Sequence, residues 1–119
     1  MINPKALQGA LVIGTVLQVA MVVVGHFVPF VALHVFMFGG MGISAVAGLI
    51  YGRAAAGYGG AVLGGAIAGG GCALIGIALS VLMGDTQAVI LGLGTASSAV
   101  TGAIGGALGK LISGHARAA

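Results

Sequence analysis

Few side chains in this sequence of 119 residues have the chemistry that catalysis needs. The chain holds one cysteine, one acidic residue and three histidines. Cys72 carries a thiol, but a thiol nucleophile needs a neighbouring base, and no histidine is predicted beside it. Asp85 precedes an apolar stretch, where we expect it to cap a helix. The sequence therefore predicts a protein that is not an enzyme.

Two histidines, His26 and His34, are the candidates for holding a cofactor. Neutral imidazole is a common metal and haem ligand, and both residues are predicted at the same end of the molecule. No cysteine or carboxylate is expected beside them, whereas metal sites usually combine several such ligands. We therefore predict no metal site, and binding of a haem or pigment is the least favoured of the functions considered.

A further group of candidates is polar but uncharged. Gln18 stands out because a primary amide has four hydrogen-bonding positions to satisfy in apolar surroundings. Short polar side chains accompany it near the centres of the apolar stretches, and the group consists of Thr15, Gln18, Ser44, Ser97, Ser98 and Thr101. These residues either line a binding site or pore for a neutral solute, or they join helices by hydrogen bonds.

The composition decides where these residues must be placed. Hydrophobic residues make up 60% of the chain and charged residues 4%, and the mean hydropathy is +1.26. A soluble surface needs far more charge, so the bilayer is the expected solvent. One crossing takes about 20 apolar residues, which leaves room for four. The spans are predicted at residues 4–24, 29–51, 58–83 and 86–112, in a single all-α integral membrane domain of residues 1–119.

Helix ends are marked by local signals. Asn3 and Pro4 are a typical N-cap and first residue of a helix, and Gly25 is expected to end the first span. The second and fourth spans also share a faint repeat at a shift of 54 residues, in which Gly48 aligns with Gly102. The four-helix bundle is therefore either two repeated hairpins, or the match comes by chance from a glycine-rich composition.

The 25 glycines follow a pattern. Small residues recur every fourth position on three spans, and lipid-embedded helices pack closely through such faces. The predicted packing residues are Gly40, Ser44, Gly48 and Gly52 on the second span, Gly60, Gly64, Ala68, Cys72, Gly76 and Ser80 on the third, and Gly94, Ser98, Gly102 and Gly106 on the fourth. The pattern leaves open whether these faces meet within one chain or between chains.

Basic residues predict the orientation. Lys5, Arg53, Lys110 and Arg117 all fall at one end of a four-span bundle, and Lys and Arg concentrate on the cytoplasmic side. We therefore expect both termini in the cytoplasm of a bacterium, with the chain in the inner membrane. Tyr51 and Tyr58 are predicted as interfacial anchors at that end. The basic residues form no patch, so no nucleic-acid partner is expected.

Three functions are compatible with these features. The first is a non-catalytic packing role, as a homo-oligomer or as an accessory or assembly subunit of a larger membrane complex. The second is an oligomeric channel or an uncoupled carrier for a small neutral solute, because no ionisable group is predicted at the centre of a span. The third is the haem or pigment carrier. The sequence favours them in that order.

Overall fold

The structure of the chain, a computed structural model, describes residues 2–30 and 36–118, without the side chains of 36–37 and 115–118. Within these residues the chain is all-helical, as predicted, and four helices are described: α1 Pro4–Phe27, α2 Phe36–Ala54, α3 Tyr58–Leu82 and α4 Val89–Ala118. Three helical segments, Pro4–Phe27, Tyr58–Leu82 and Val89–Gly114, are long and apolar enough to cross a membrane. The bundle measures 47 × 23 × 20 Å, longer than the roughly 30 Å of a bilayer's hydrocarbon core.

The ends of α1 confirm one predicted signal and correct another. The Asn3 side chain accepts a hydrogen bond from the backbone N–H of Ala6 at 3.2 Å, as an N-cap does. Gly25, however, does not end the helix, which continues to Phe27 with Val28 as its cap. Val28 has an extended backbone because the ring of the following Pro29 disfavours helical geometry there.

The turn after α3 is fixed by a glycine in the left-handed region. Gly84 has φ of +80°, and its N–H donates to the carbonyl of Val81. The N–H of Asp85 donates to the carbonyl of Ser80, which completes a Schellman motif. The next helix begins at Val89, so Asp85 lies outside its first turn and does not cap it as expected.

The other predicted boundaries shift by a few residues. The predicted start of the second span at Pro29 is followed by residues 31–35, which lie outside the described part of the chain. At its other end α2 continues to Ala54, beyond the predicted 51. The last helix extends to Ala118 instead of ending near residue 112.

α2 and α3 occupy the centre of the bundle. Each of them contacts all three other helices, whereas α1 and α4 make no contact with each other among the described residues. α1 therefore packs on one side of the central pair and α4 on the other. This arrangement leaves space between α1 and α4 wherever α2 and α3 carry small side chains.

α4 packs into the groove between α2 and α3 by direct backbone contact. A Cβ on Gly102 would overlap the carbonyl oxygen of Gly65, and one on Gly106 would overlap that of Ala61. On the other side of the groove, a Cβ on Gly105 or on Gly109 would overlap a carbonyl oxygen of α2. Only residues without a side chain allow helices to approach so closely.

The end of the bundle that carries the basic residues is closed by side chains. Tyr51 is fully buried, its ring lies against Gly64, and its hydroxyl accepts a hydrogen bond from the Asn3 N–H at 2.9 Å. The expectation that Tyr51 anchors the bundle at the interface is therefore wrong, because the missing side chain of Gly64 makes room for its ring inside. Lys110 Nζ donates to the carbonyl of Ala55 at 3.1 Å at the same end.

Candidate binding cavity

Gln18 joins three helices through its amide group. Its Nε2 donates to the carbonyl of Gly40 at 3.0 Å and to the hydroxyl of Ser44 at 3.2 Å, both on α2. Ser44 in turn donates to the carbonyl of Gly69 on α3 at 3.0 Å. Gln18 is 2% exposed and Ser44 fully buried. Because both side chains are buried, the network satisfies polar groups that apolar surroundings would otherwise penalise.

Gln18 lies nearer to the Phe27 end of α1 than to the Pro4 end. It is nine residues before the end of α1, which corresponds to about 13 Å of helix. Glycines on both neighbouring helices make room for it: a Cβ on Gly76 would lie 2.9 Å from its Cβ, and one on Gly40 would lie 3.6 Å from its Oε1. The amide therefore lies between two helices that each carry a glycine beside it.

A cavity of about 540 Å³ extends from Gln18 towards the turn between α3 and α4. All four helices contribute to its wall, which is mostly apolar. Its polar lining residues are Gln18, Ser80, Asp85, Thr86, Gln87, Ser97 and Ser98. Gln18 and Ser98 are buried and form its floor, whereas Asp85 and Gln87 are exposed and form its mouth. The volume lies within the range of small-molecule sites.

The hydroxyls that face the cavity differ in their hydrogen bonds. Ser97 donates to the carbonyl of Leu93 at 2.8 Å, and Ser80 and Thr86 bond to each other at 2.6 Å. Ser98 is 4% exposed, and its hydroxyl has no hydrogen bond within the part of the chain that the structure describes. The floor of the cavity therefore holds a hydroxyl whose hydrogen-bonding capacity is unused, on a residue that is itself buried.

A histidine and a carboxylate are paired at the mouth, and they form an ion pair when the imidazole is protonated. Nδ1 of His26, near the end of α1, lies 2.7 Å from Oδ2 of Asp85. The expectation that no carboxylate lies beside this histidine is wrong, because the Schellman turn after α3 carries Asp85 to the end of α1. The other candidate ligand, His34, lies outside the described residues. Within those residues, no three His, Cys, Asp or Glu side chains gather as a metal site requires.

The structure brings together some of the polar candidates and separates others. Gln18 and Ser44 share the network, and Ser97 and Ser98 line the cavity. Thr101 instead donates to the carbonyl of Ser98 in its own helix at 3.0 Å. Thr15 is half-buried on α1 and is not among the lining residues. The predicted layer is therefore two separate groups with different environments.

The predicted packing residues all face the inside of the bundle to some degree. All of them are buried except Gly94, which is half-buried. On α3, Gly64 receives Tyr51, Gly76 receives Gln18, and Cys72 lies beside Gly14 of α1. The Cys72 thiol donates to the carbonyl of Gly69 at 3.3 Å. These faces are therefore occupied by contacts within one chain.

Sequence reasoning missed several residues of the cavity. Thr86, Gln87 and Asp85 form its mouth, and no pattern in the sequence marks the turn as part of a site. Thr95, on α4 next to this region, has a buried hydroxyl without a partner among the described residues. One signal was available for Thr95, since it precedes Ser97 and Ser98 in the same polar stretch.

Comparisons were made with family models, with curated proteins and with solved structures, and nothing matched this chain in any of them. The structure itself is that of an all-helical four-helix bundle with three candidate membrane spans, consistent with an integral membrane protein.

Proposed function

We propose that this protein is an integral membrane protein that takes up a small neutral solute in the cavity and acts as an uncoupled carrier. The observation that carries the proposal is the position of the Gln18 amide and the Ser98 hydroxyl at the floor of a cavity of about 540 Å³, where Gln18 is about 13 Å of helix from the end of α1. Neutral polar groups at that depth can replace part of the water around a solute without the cost of a buried charge.

The two ends of the bundle differ in a way that suits a carrier better than an open channel. Towards the basic end, α4 meets α2 and α3 backbone to backbone, so the cavity does not continue between these helices. A separate recess of about 400 Å³ at that end is lined by Ile50, Arg53, Ala54 and Ser113. At the Asp85 end the described residues leave the cavity open. A solute would enter from one side only, and its release on the other would need the helices to move. In this proposal α2 also crosses the membrane, with Arg53 and the termini on the cytoplasmic side of a bacterial inner membrane.

The experiment is osmotic shrinkage of proteoliposomes, followed by light scattering, with urea, glycerol, ammonia and water as the permeants. We expect faster entry of at least one of them than in liposomes without protein. Ser97→Phe should abolish the increase because the ring would obstruct the cavity beside Ser98. Ala96→Phe is the matched control, since Ala96 is exposed on the same helix and does not line the cavity. Equal rates for wild type and Ser97→Phe would contradict the proposal.

An assembly role in a homo-oligomer or a larger membrane complex is the second proposal. The small-residue faces that suggested it already make contacts inside the chain, so it has less support than the cavity. Native mass spectrometry of protein extracted from its own membranes in mild detergent tests it: a hetero-complex would support assembly, and a monomer would count against it. In either role we propose no catalysis, no nucleic-acid partner and no resident cofactor.

A further inference from the structure

The hydrogen-bond directions in the Gln18 network determine what the cavity offers to a solute. The carbonyl of Gly40 can only accept, so the amide atom facing it must be Nε2. Ser44 gives its one hydrogen to Gly69, so it too accepts from Nε2. Both hydrogens of the Gln18 amide are therefore used inside the protein. What remains is the acceptor Oε1, which lies near the two glycines that line the cavity, Gly40 and Gly76.

Two serines of α4 line the cavity, the exposed Ser97 and the buried Ser98, and they lead to the same result. Ser97 gives its hydrogen to Leu93 and keeps only its lone pairs. The Ser98 hydroxyl keeps its hydrogen and its lone pairs, because Ser98 bonds through its backbone carbonyl and its hydroxyl makes no hydrogen bond among the described residues. The floor therefore presents several acceptors and a single donor. Nearer to the mouth, the hydroxyls of Ser80 and Thr86 use one of their two hydrogens in the hydrogen bond between them.

We propose that the cavity selects small neutral solutes of the primary amide and urea class, an inference that rests on the proposed function. Such a solute carries two or more N–H donors for the oxygens of Gln18 and Ser97, and a carbonyl that can accept from Ser98. A solute without N–H groups would leave the buried acceptor of Gln18 unpaired, which costs binding energy. An ion is disfavoured because the one acid near the cavity, Asp85, is already paired with His26 at the mouth.

The test is an amide series in the proteoliposome assay: acetamide, N-methylacetamide and N,N-dimethylacetamide, which lose one donor at each step. Passive leak is removed by subtracting the rate measured with Ser97→Phe. All three amides are much smaller than the cavity, so size does not decide between them. We expect the protein-dependent permeability to fall about tenfold for each lost donor.

Two pairs of variants separate the floor from the rest of the bundle. Ser98→Ala removes the free hydroxyl, and Gly40→Ala adds a methyl group 3.6 Å from Oε1, an ordinary contact. Both should lower acetamide entry severalfold. Thr101→Val and Gly42→Ala are the controls, because the Thr101 hydroxyl bonds within its own helix and nothing lies within 4 Å of a Cβ on Gly42. Wild-type rates are expected for both.

The outcomes are distinct. A graded loss along the series, reduced by Ser98→Ala, supports the selection of N–H donors. If all three amides enter equally and Ser97→Phe blocks them all, the cavity admits solutes but the donor rule is overturned. If no permeant is faster than with Ser97→Phe, the proposed function fails and the donor rule fails with it.

Discussion

Gly48 of α2 lies so close to Gly102 of α4 that a Cβ on Gly48 would overlap the Gly102 carbonyl oxygen. Gly52 meets Gly106 in the same way. Both pairs are related by the 54-residue shift of the sequence repeat. Equivalent residues meet in this way across a two-fold axis that runs between parallel helices. α1 does not follow this symmetry, because it packs against α3 and makes no described contact with α4.

The first prediction concerns this glycine contact. Gly102→Ala should lower the free energy of unfolding by about 3 kcal/mol, because its methyl group meets backbone atoms of α3 that cannot rotate away. Unfolding in SDS, followed by circular dichroism, measures the change. Gly92→Ala on the same helix is the control, since nothing lies within 4 Å of that site. Equal stability of the two variants would show that the helices are not this close.

The second prediction concerns the amide of Gln18. Gln18→Leu removes two hydrogen bonds between helices and leaves the Gly40 carbonyl without its partner. Bonds of this kind in membrane proteins contribute about 0.6 kcal/mol on average, so a loss of 1–2 kcal/mol is expected in the same unfolding assay. Gln8→Leu is the control, because Gln8 is exposed on the same helix. A Gln18 variant as stable as this control would argue against the network.

The third prediction concerns the ion pair at the mouth of the cavity. The side chains of His26 and Asp85 are 37% and 22% exposed, so solvent weakens their attraction. A double-mutant cycle with His26→Gln and Asp85→Asn should give a coupling energy below about 1 kcal/mol, and added salt should reduce it. Additive effects of the two substitutions at low salt would mean that the two side chains do not interact.

The fourth prediction concerns orientation. In a Cys72→Ser background, Ala56→Cys and Gln87→Cys place single exposed thiols in turns at opposite ends of the bundle. A membrane-impermeant maleimide added to intact cells should label the thiol at position 87 and not the one at 56, because Arg53 and Lys110 keep their end in the cytoplasm. The reverse pattern would mean that the bundle has the opposite orientation in the membrane, and labelling of both thiols would indicate mixed orientation.

The helices themselves could be predicted because their signals are local. Apolar length identifies each of the three candidate spans, and the Asn3 and Pro4 pair sets the start of α1 within one residue. Glycines are less informative at helix ends. Gly25 and Gly84 both follow long apolar runs, but only Gly84 adopts the positive φ that ends a helix. The difference depends on the turn that follows, and a single residue type does not reveal it.

The cavity could not be predicted because it depends on distances between helices. Gln18 and Ser98 were recognised as unusual from their polarity alone, but their common floor arises where α1 and α4 fail to meet across α2 and α3. The pairing of His26 with Asp85 likewise joins residues 59 positions apart. Tyr51 shows the same limit. An aromatic residue two positions before Arg53 suggests an interfacial anchor. The sequence does not reveal that Gly64 leaves space for the Tyr51 ring inside the bundle.

The bonds of Gln18 also have a consequence for biosynthesis. Its partners on α2 follow it by 22 and 26 residues, so they leave the ribosome later than α1 does. At about 5–20 residues per second, the delay is roughly one to five seconds. During that time the amide of a newly inserted α1 has no partner in the chain. A chaperone or the translocon that retains the first helix until the second is synthesised would therefore act during the interval in which this amide is unpaired.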